Sequence, residues 1–368
     1  MKIRYIDITN FKKISYLRHD FTDPFSGEPR DITTIFGDNG SGKTTLLQAI
    51  AFMLSWATHK ISDVSDFQWH GFLYDRIDSL GKTRIEMQLE LTDEEINSVR
   101  DIFDTWKKFR APDEGKDRKL TRPKTDKQII LIYESEEEFK WPGGIGQASE
   151  LWGRFYTSSL VKRDRKYMSL YEQTGGVFWY DQYRNLGSGL VETDKDVSSK
   201  ISWQAGVEGL RKYLVSWWNY HQYSKGNSEE DFIVRLQKPF TRVFPETKFD
   251  GLEPMPTNNE TDPPDFYFMI SRDDSRYDIS EMSSGEQAVF SVMYDFVRQR
   301  IAHSIVLIDE LELHLHPPQQ QSLYNSLRKI GPSCQFIVTS HSPYLDNIIS
   351  DEDKIRLHEG KVLNNEHI

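Results

Sequence analysis

The sequence predicts an α/β fold built on a parallel sheet and split by a large insertion. Three observations carry that expectation. A glycine-rich stretch, Gly37 to Thr44 (GDNGSGKT), lies between an apolar β-rich run and a helical one. A second apolar run, Ser304 to Ile308, ends in the acidic pair Asp309-Glu310. Between the two, residues 57 to 270 show no comparable pattern.

The glycine stretch fits G-x-x-x-x-G-K-[ST], and its setting matters as much as its letters. Asp31 to Phe36 reads as a strand and Thr45 to Trp56 as a buried helix, which is the strand–loop–helix context that a phosphate-binding loop needs. Glycines let successive backbone N–H groups curl around phosphate oxygens where a Cβ would block close approach. The helix N-terminus adds partial positive charge. In this reading Lys43 reaches the β- and γ-phosphates of a nucleotide and the Thr44 hydroxyl ligates Mg²⁺. An accidental match is expected in about one chain in a hundred of this length. A nucleotide site is the favoured reading.

Composition narrows the class. With 368 residues the chain has room for two domains, or for one with a large insertion. A formal charge of −11 argues against a protein that simply coats nucleic acid. Nine Trp, 17 Tyr and 21 Phe supply real cores and exclude a disordered chain. The single cysteine, Cys334, rules out an internal disulfide framework, fits a reducing compartment and reads as core rather than nucleophile. The N-terminal MKIRYIDITNF is strand-like and lacks the apolar segment of a secretory signal. No apolar run approaches the ~18–20 residues needed to span a bilayer. The expectation is a cytoplasmic protein without membrane insertion.

In chain order, Ile3 and Tyr5 alternate with Lys2 and Arg4, and the phase then slips so that Ile6 and Ile8 flank Asp7. The slip marks a bulge or a strand apolar on both faces. Asn10-Phe11-Lys12-Lys13 reads as a bend. Thr83 to Leu91 alternates strictly as a half-buried strand, and Thr92-Asp93-Glu94-Glu95 opens a helix with acidic residues in its first turn. The segment from Lys107 to Lys127 is dominated by Lys107, Lys108, Arg110, Lys116, Arg118, Lys119, Arg122, Lys124 and Lys127. A mobile surface loop is the plainer reading, and a DNA phosphate contact the sharper one.

Gln128 to Glu134 and Glu138 to Trp141 form an expected hairpin, followed by a turn at Gly143 to Gly146. Gly175 to Arg184 reads as a buried strand, Glu192 to Ser199 as a loop, and Val207 to Tyr223 as a helix. The Trp217-Trp218-Tyr220 cluster in that helix is more often packing than a base-stacking platform. Glu229 to Lys238 is a helix that Pro239 should stop, and Asp265 to Ile270 is a strand. Sustained heptads are absent, so no long coiled-coil arm is expected.

Chemistry returns at Glu281-Met282-Ser283-Ser284-Gly285-Glu286-Gln287, ahead of an apolar helix from Ala288 to Ile301. A serine-glycine turn at a helix start is an anion cradle, although the letters alone amount to a capping box. The run ending in Asp309-Glu310 reads as a buried parallel strand delivering a carboxylate at its C-terminal end, where α/β sheets place ligands. Asp309 is expected to hold Mg²⁺ opposite Thr44, and Glu310 to polarise a water for in-line attack. A helix from Gln319 to Ile330 follows, then a buried strand, Gln335 to Thr339, leading into His341 at the same sheet edge. His314 and His316, alternate residues with no third ligand nearby, do not read as a metal pair. Lys354 to Val362 closes the pattern as a hairpin.

The ordered set GDNGSGKTT, MSSGEQ, IVLIDE, LELHLHP and TSHSP resembles the ATP-binding-cassette (ABC) ATPases, and more narrowly their SMC-like and OLD-family branch. The resemblance covers residues 1–60 and 270–360. It implies a P-loop NTPase fold of the ABC/SMC-head type with a split nucleotide-binding domain and a large α+β insertion. The halves would be residues 1–95 and 266–368, with 96–265 inserted.

Carried onto this chain, Gly37, Asp38, Asn39, Gly40, Ser41, Gly42, Lys43 and Thr44, with Thr45 next to them, are the Walker A loop. Asp309 and Glu310 are the Walker B pair, Ser283 to Glu286 the signature loop, Leu313 to Pro317 the D-loop and His341 the switch histidine. Gln182 is the candidate Q-loop ligand to the metal, with Gln68 as runner-up, and Lys12 matches a basic position near the nucleotide.

The resemblance implies an ATP- and Mg²⁺-dependent ATPase that forms a head-to-tail homodimer, or a higher oligomer, through composite sites. Its role would be motor, sensor or gate for a separate effector. Because the chain ends soon after the hairpin, with no room for a TOPRIM nuclease, any nuclease activity would come from that partner. Prokaryotic phage defence or DNA maintenance is the setting by analogy. Rival readings are the nucleotide-binding subunit of a membrane transporter and a non-hydrolysing ATP-gated scaffold. The split architecture and the Ser-Ser-Gly-Glu signature count against the first. Intact Lys43, Asp309, Glu310 and His341 count against the second.

Overall fold

The computed structural model describes residues 1–109, 121–135, 137–182, 203–224, 231–256 and 265–363. The chain divides into two compact units, Met1–Asp181 with Arg300–Leu311 and Gly331–Ile368, and Gln182–Gln299 with Glu312–Ile330. These divisions fall elsewhere than after residues 95 and 265. The described part of 96–181 packs with the glycine-loop half, whereas 266–299 and 312–330 lie in the second unit.

The first unit begins with β1 (Lys2–Phe11), β2 (Ile14–Asp20) and β3 (Ile32–Phe36), then α1 (Lys43–Ala57). It continues through β4 (Arg84–Glu90), α2 (Asp93–Lys108), β5 (Gln128–Glu134), β6 (Glu137–Lys140), α3 (Ile145–Ala148), α4 (Gly153–Val161) and β7 (Val177–Tyr180). One sheet is antiparallel, in the order β2-β1-β4-β5-β6. The phase slip in β1 is a bulge, since its register against β4 shifts between Ile3 and Tyr5. There Ile3 turns its backbone to a side chain: Gln335 Oε1 accepts its N–H at 2.6 Å and Gln335 Nε2 donates to its carbonyl at 3.1 Å. The bulge brings Ile3, Ile6 and Ile8 to full burial despite the broken alternation. The bend is sharp because Asn10 and Lys12 are left-handed, with φ of 55° and 52°.

In α1 every residue except Thr44 and Trp56 is buried. The helix packs against strands of both sheets of this unit, which explains a sequence, TLLQAIAFMLSW, that is apolar all round. Leu46, Leu47, Ile50, Phe52 and Leu54 are fully buried, each contributing about 1.5–3 kcal/mol. Thr92 starts α2, as its sequence predicts, and the structure adds a reciprocal capping box with Glu95. Gly143 and Gly144 turn as expected, but the chain then enters α3 at Ile145 rather than staying a turn through Gly146. Buried Phe103, Trp106, Tyr156 and Leu160 make a small core between α2 and α4.

The second unit holds α5 (Trp203–Ser224), α6 (Phe232–Val243), β8 (Thr247–Pro254), β9 (Phe266–Arg272), β10 (Ser275–Asp278), α7 (Ser284–Arg298) and a later helix. Its three strands are ordered β10-β9-β8 and antiparallel. Pro239 does not stop α6, which runs on to Val243. Proline lacks the N–H for one helical bond, at a cost of about 3 kcal/mol in an isolated helix. Tertiary packing outweighs that cost: Pro239 is buried, and its fully buried neighbour Phe240 meets Phe249 and Phe290 at ring distances of 5.8 and 5.6 Å. Trp217 packs on Phe232 and Tyr294, and Trp218 on Phe268, so these indoles are core. The helix expected to run to Ile301 ends at Arg298. The longest helix among the described residues is α5, at 22 residues. The loop expected at 192–199 lies outside the described residues.

The chain then adds β11 (Ile305–Ile308), α8 (Pro317–Ile330), β12 (Gln335–Ser340), α9 (Pro343–Ile348), β13 (Lys354–His358) and β14 (Lys361–Val362). Of these, α8 belongs to the second unit and the rest to the first. The second sheet of the first unit runs β14-β13-β3-β12-β11-β7 and is parallel from β13 to β7. This order puts β12 between the glycine-loop strand β3 and the acidic strand β11. Cys334 is buried beside β12, and burial pushes its thiol up to about 11, the state of a core cysteine.

Candidate nucleotide site

The glycine loop leaves β3 and enters α1 at Gly42, which caps the helix in a left-handed conformation at φ 104° with no side-chain cap. Gly37 has no room for a side chain: a Cβ there would lie 2.4 Å from the Leu357 carbonyl oxygen. Lys43 is buried, and its ammonium donates to the carbonyls of Gly37 at 2.7 Å and Asp38 at 3.0 Å. His341 Nδ1 lies 3.4 Å from the same ammonium. The loop thus brings its own lysine and the histidine after β12 to one point.

The second point of convergence is the acidic strand end. Thr44 Oγ1 donates to Asp309 Oδ2 at 2.9 Å. Thr339, fully buried at the end of β12, donates its hydroxyl to Asp309 Oδ1 at 2.6 Å and accepts the Glu310 N–H at 2.8 Å. Asp309 N–H in turn donates to the Tyr180 carbonyl at 2.8 Å, which sets Asp181 level with Asp309 at the same sheet edge. Asp309 is buried and Glu310 half-buried, so the adjacent acids sit in different surroundings. Glu310 has φ 51°, an uncommon conformation for a non-glycine residue and one found at functional sites. Sequence reasoning gave Thr339 no role. A threonine closing a buried strand was the available signal, but its meaning depends on β12 lying between the two motifs.

Other candidates fall in less committed places. Lys12 Nζ donates to Gln48 Oε1 at 2.6 Å, one turn along α1 from Thr44, and lies 5.3 Å from the centre of the Phe72 ring. Burial, with the neighbouring Lys13 adding to it, lowers its pKa. Gln182 is exposed and opens the second unit directly after Asp181. Gln68 is exposed in a loop, and its backbone carbonyl accepts the Trp179 indole N–H at 3.2 Å.

Within the second unit, Ser283 and Ser284 are exposed while Gly285 and Glu286 are buried. Ser283 caps α7, with its N–H and hydroxyl both donating to Glu286 Oε2, at 2.9 and 2.7 Å. Tyr277 donates to Glu286 Oε1 at 2.8 Å. The Glu286 carboxylate, expected among the nucleotide contacts, is thus committed to holding the turn. A Cβ on Gly285 would lie 2.7 Å from the His314 carbonyl oxygen, so this glycine admits the 313–317 segment beside the turn.

Two hard oxygens at 2.9 Å, Thr44 Oγ1 and Asp309 Oδ2, suit Mg²⁺, which takes one or two protein oxygens and completes its shell with phosphate and water. A nucleotide phosphate also fits the loop: Ser41 Oγ is buried without a hydrogen-bond partner, and the space at Gly37 excludes a side chain. No group of three or more His, Cys, Asp or Glu that could hold another metal occurs among the described residues, His314 and His316 included. No helix among them is long and apolar enough to cross a membrane. Of the basic segment, Arg122 pairs with Asp104 and Lys127 with Asp93, and Lys124 Nζ donates to the Gly143 carbonyl. Arg110, Lys116, Arg118 and Lys119 lie outside the described residues.

The whole chain superimposes on a crystal structure of an SMC head bound to the C-terminal winged-helix domain of ScpA, with a TM-score of 0.51 at 14% identity over 99% of this chain and 97% of that one. A second SMC head, from Pyrococcus furiosus with an extended coiled coil, matches with a TM-score of 0.50 at 14% identity over 98% and 96%. The fold is a P-loop ATPase fold of the SMC-head type.

Family models place AAA-type ATPase sequence in both halves: "AAA ATPase domain" over residues 1–159 and "AAA domain, putative AbiEii toxin, Type IV TA system" over residues 206–347. The chain is 22% identical to the Retron Vc95 probable ATPase of Vibrio cholerae serotype O1 biovar El Tor, covering 96% of this chain and 73% of that protein. It is 23% identical to the Septu protein PtuA of Bacillus mycoides, over 93% of this chain and 38% of the relative. The endonuclease GajA of Bacillus cereus is 21% identical, over 97% and 58% respectively. The chain therefore spans less than two thirds of the last two.

Proposed function

We propose that the chain is an ATPase that binds Mg-ATP on the Gly37–Thr45 loop, closes head-to-tail on it as a dimer, and reopens on hydrolysis to drive or gate a separate effector. The observation that carries this reading is the Thr44–Asp309 contact at 2.9 Å, with Thr339 holding the far oxygen of the carboxylate. Bound Mg-ATP would supply the scissile phosphoanhydride and the metal charge that offsets its oxygens. Lys43 would neutralise the phosphates, Thr44 and Asp309 would hold the metal, and Lys12 would add charge near the nucleotide. Glu310 would take a proton from the attacking water, and His341, beside Lys43, would orient that water or the terminal phosphate. Exposed Ser283 and Ser284, backed by Gly285 and Glu286, would close on the nucleotide held by the other protomer. The names of the relatives, a retron ATPase, a Septu protein and GajA, support prokaryotic phage defence as the setting.

The test is the solution mass of Glu310→Gln with and without Mg-ATP, beside the turnover of the wild type. Loss of a general base should slow turnover by about 10²- to 10⁴-fold while sparing binding. An ATP-dependent doubling of mass that Ser283→Arg abolishes is expected. A monomer that still turns over ATP would refute the composite site.

A further inference from the structure

The β13–β14 hairpin has no part in the chemistry above, yet its turn lies against the glycine loop. Glu359 and Gly360 form that turn in left-handed conformations, with φ of 47° and 75°. Gly360 N–H donates to the Ser41 carbonyl at 2.8 Å. The hairpin meets the loop at two further places: a Cβ on Gly37 would lie 2.4 Å from the Leu357 carbonyl oxygen, and one on Gly42 would lie 3.4 Å from Gly360 Cα. On its other side Gly360 is backed by the start of β2, where a Cβ would lie 3.0 Å from the Lys13 carbonyl oxygen and 3.4 Å from Ile14 Cα. The turn is therefore wedged between β2 and the loop.

We infer that Gly360 is a positioning residue that aims the Gly42 amide into the phosphate cradle. In a trans peptide the carbonyl and the following N–H point in opposite directions, and no peptide bond among the described residues is cis. Tying the Ser41 carbonyl to the hairpin therefore turns the Gly42 N–H to the opposite side, toward the interior of the loop. No side chain caps the start of α1, so no cap competes with a phosphate for its first amides. Glycine backbone has the most freedom to lose, and a loop held before binding spares the ligand that ordering. The inference rests on the reading of residues 37–44 as a phosphate cradle.

The test compares nucleotide affinity in three full-length variants. Gly360→Ala puts a side chain on a left-handed residue and against Lys13, displacing the turn. Gly27→Ala is the control, since Gly27 has φ 71° and nothing within 4 Å of an added Cβ, so it carries the same backbone strain away from the loop. Lys43→Ala tests the cradle itself. Gly360→Ala should weaken Mg-ATP binding about tenfold, the size of one hydrogen bond, and raise KM with kcat kept within about twofold. Gly27→Ala should leave affinity unchanged.

If the wild type binds, Lys43→Ala loses binding and Gly360→Ala binds within about twofold of the control, the inference is overturned and the nucleotide site stands. If Lys43→Ala binds like the wild type, the cradle reading falls and the inference with it. Should Gly360→Ala fail to fold, ligation of a synthetic segment at Cys334 can replace the residue-360 amide by an ester. That change removes the N–H donor without adding a side chain, and unaltered affinity in that protein would likewise overturn the inference.

Discussion

Thr339 shows how a residue without chemistry of its own can set a site. Its hydroxyl donates to Asp309 and accepts from the Glu310 backbone, so it holds the orientation of the first acid and the turn of the second. Thr339→Val keeps the shape and deletes both bonds. Turnover should fall about 10- to 100-fold with a higher Mg²⁺ requirement, because a small displacement of an aligned group is costly. Metal-free ATP affinity should stay, and equal loss with and without metal would contradict the assignment.

A different residue, Glu150, couples the fold to pH. It is buried, Oε2 has no partner, and burial pushes its carboxyl up to about 7, with the Asp126 N–H opposing and the Asp126 charge adding. A carboxyl whose pKa is raised by folding holds its proton more tightly in the folded state. Its contribution is therefore full below the unfolded value near 4.5 and is lost as pH rises through about 7. Glu150→Gln should remove about 2–3 kcal/mol of that loss, flattening Tm against pH across this window. Parallel Tm curves for the two proteins would exclude it.

At the scale of elements, most of the pattern was legible because it is local. The helix start at Thr92, the alternation of β4 and the apolar run of β11 each declare themselves within a few residues. Pro239 misleads because its effect on α6 is decided by rings on other elements, Phe249 and Phe290, packing on Phe240. The start of the same helix is strongly held. Buried Asp231 accepts the N–H groups of Ile233 and Val234 at 3.0 and 3.2 Å and lies 2.6 Å from His221 Nδ1. Asp231→Ala should destabilise the second unit by about 2–4 kcal/mol, more than a surface cap, since it also removes the bond to half-buried His221. Chemical denaturation would measure this, and a loss no greater than that of an exposed cap would show that the ring packing holds the helix unaided.

For the whole molecule, the proposed composite site makes a prediction that no single chain can satisfy. Lys43→Ala keeps a signature turn but loses its cradle, and Ser283→Arg does the reverse. Each alone should be inactive. Mixed in equal amounts, they should recover about a quarter of wild-type turnover, because half of the dimers are mixed and each holds one intact site. Failure to complement, with both proteins folded, would place the whole site within one protomer.

The motifs could be read directly because a phosphate cradle, a cap or a strand ending in an acid is defined by neighbours in the chain. Strand order is not: it follows from pairing between segments far apart in the chain, such as β3 with β12 and β11 with β7. That order makes Thr339 the link to Asp309 and puts Asp181 level with it. Packing also wedges Gly360 against Ser41 and commits Glu286 to its own turn. Each depends on which distant surfaces exclude water together, and a linear pattern carries no record of that.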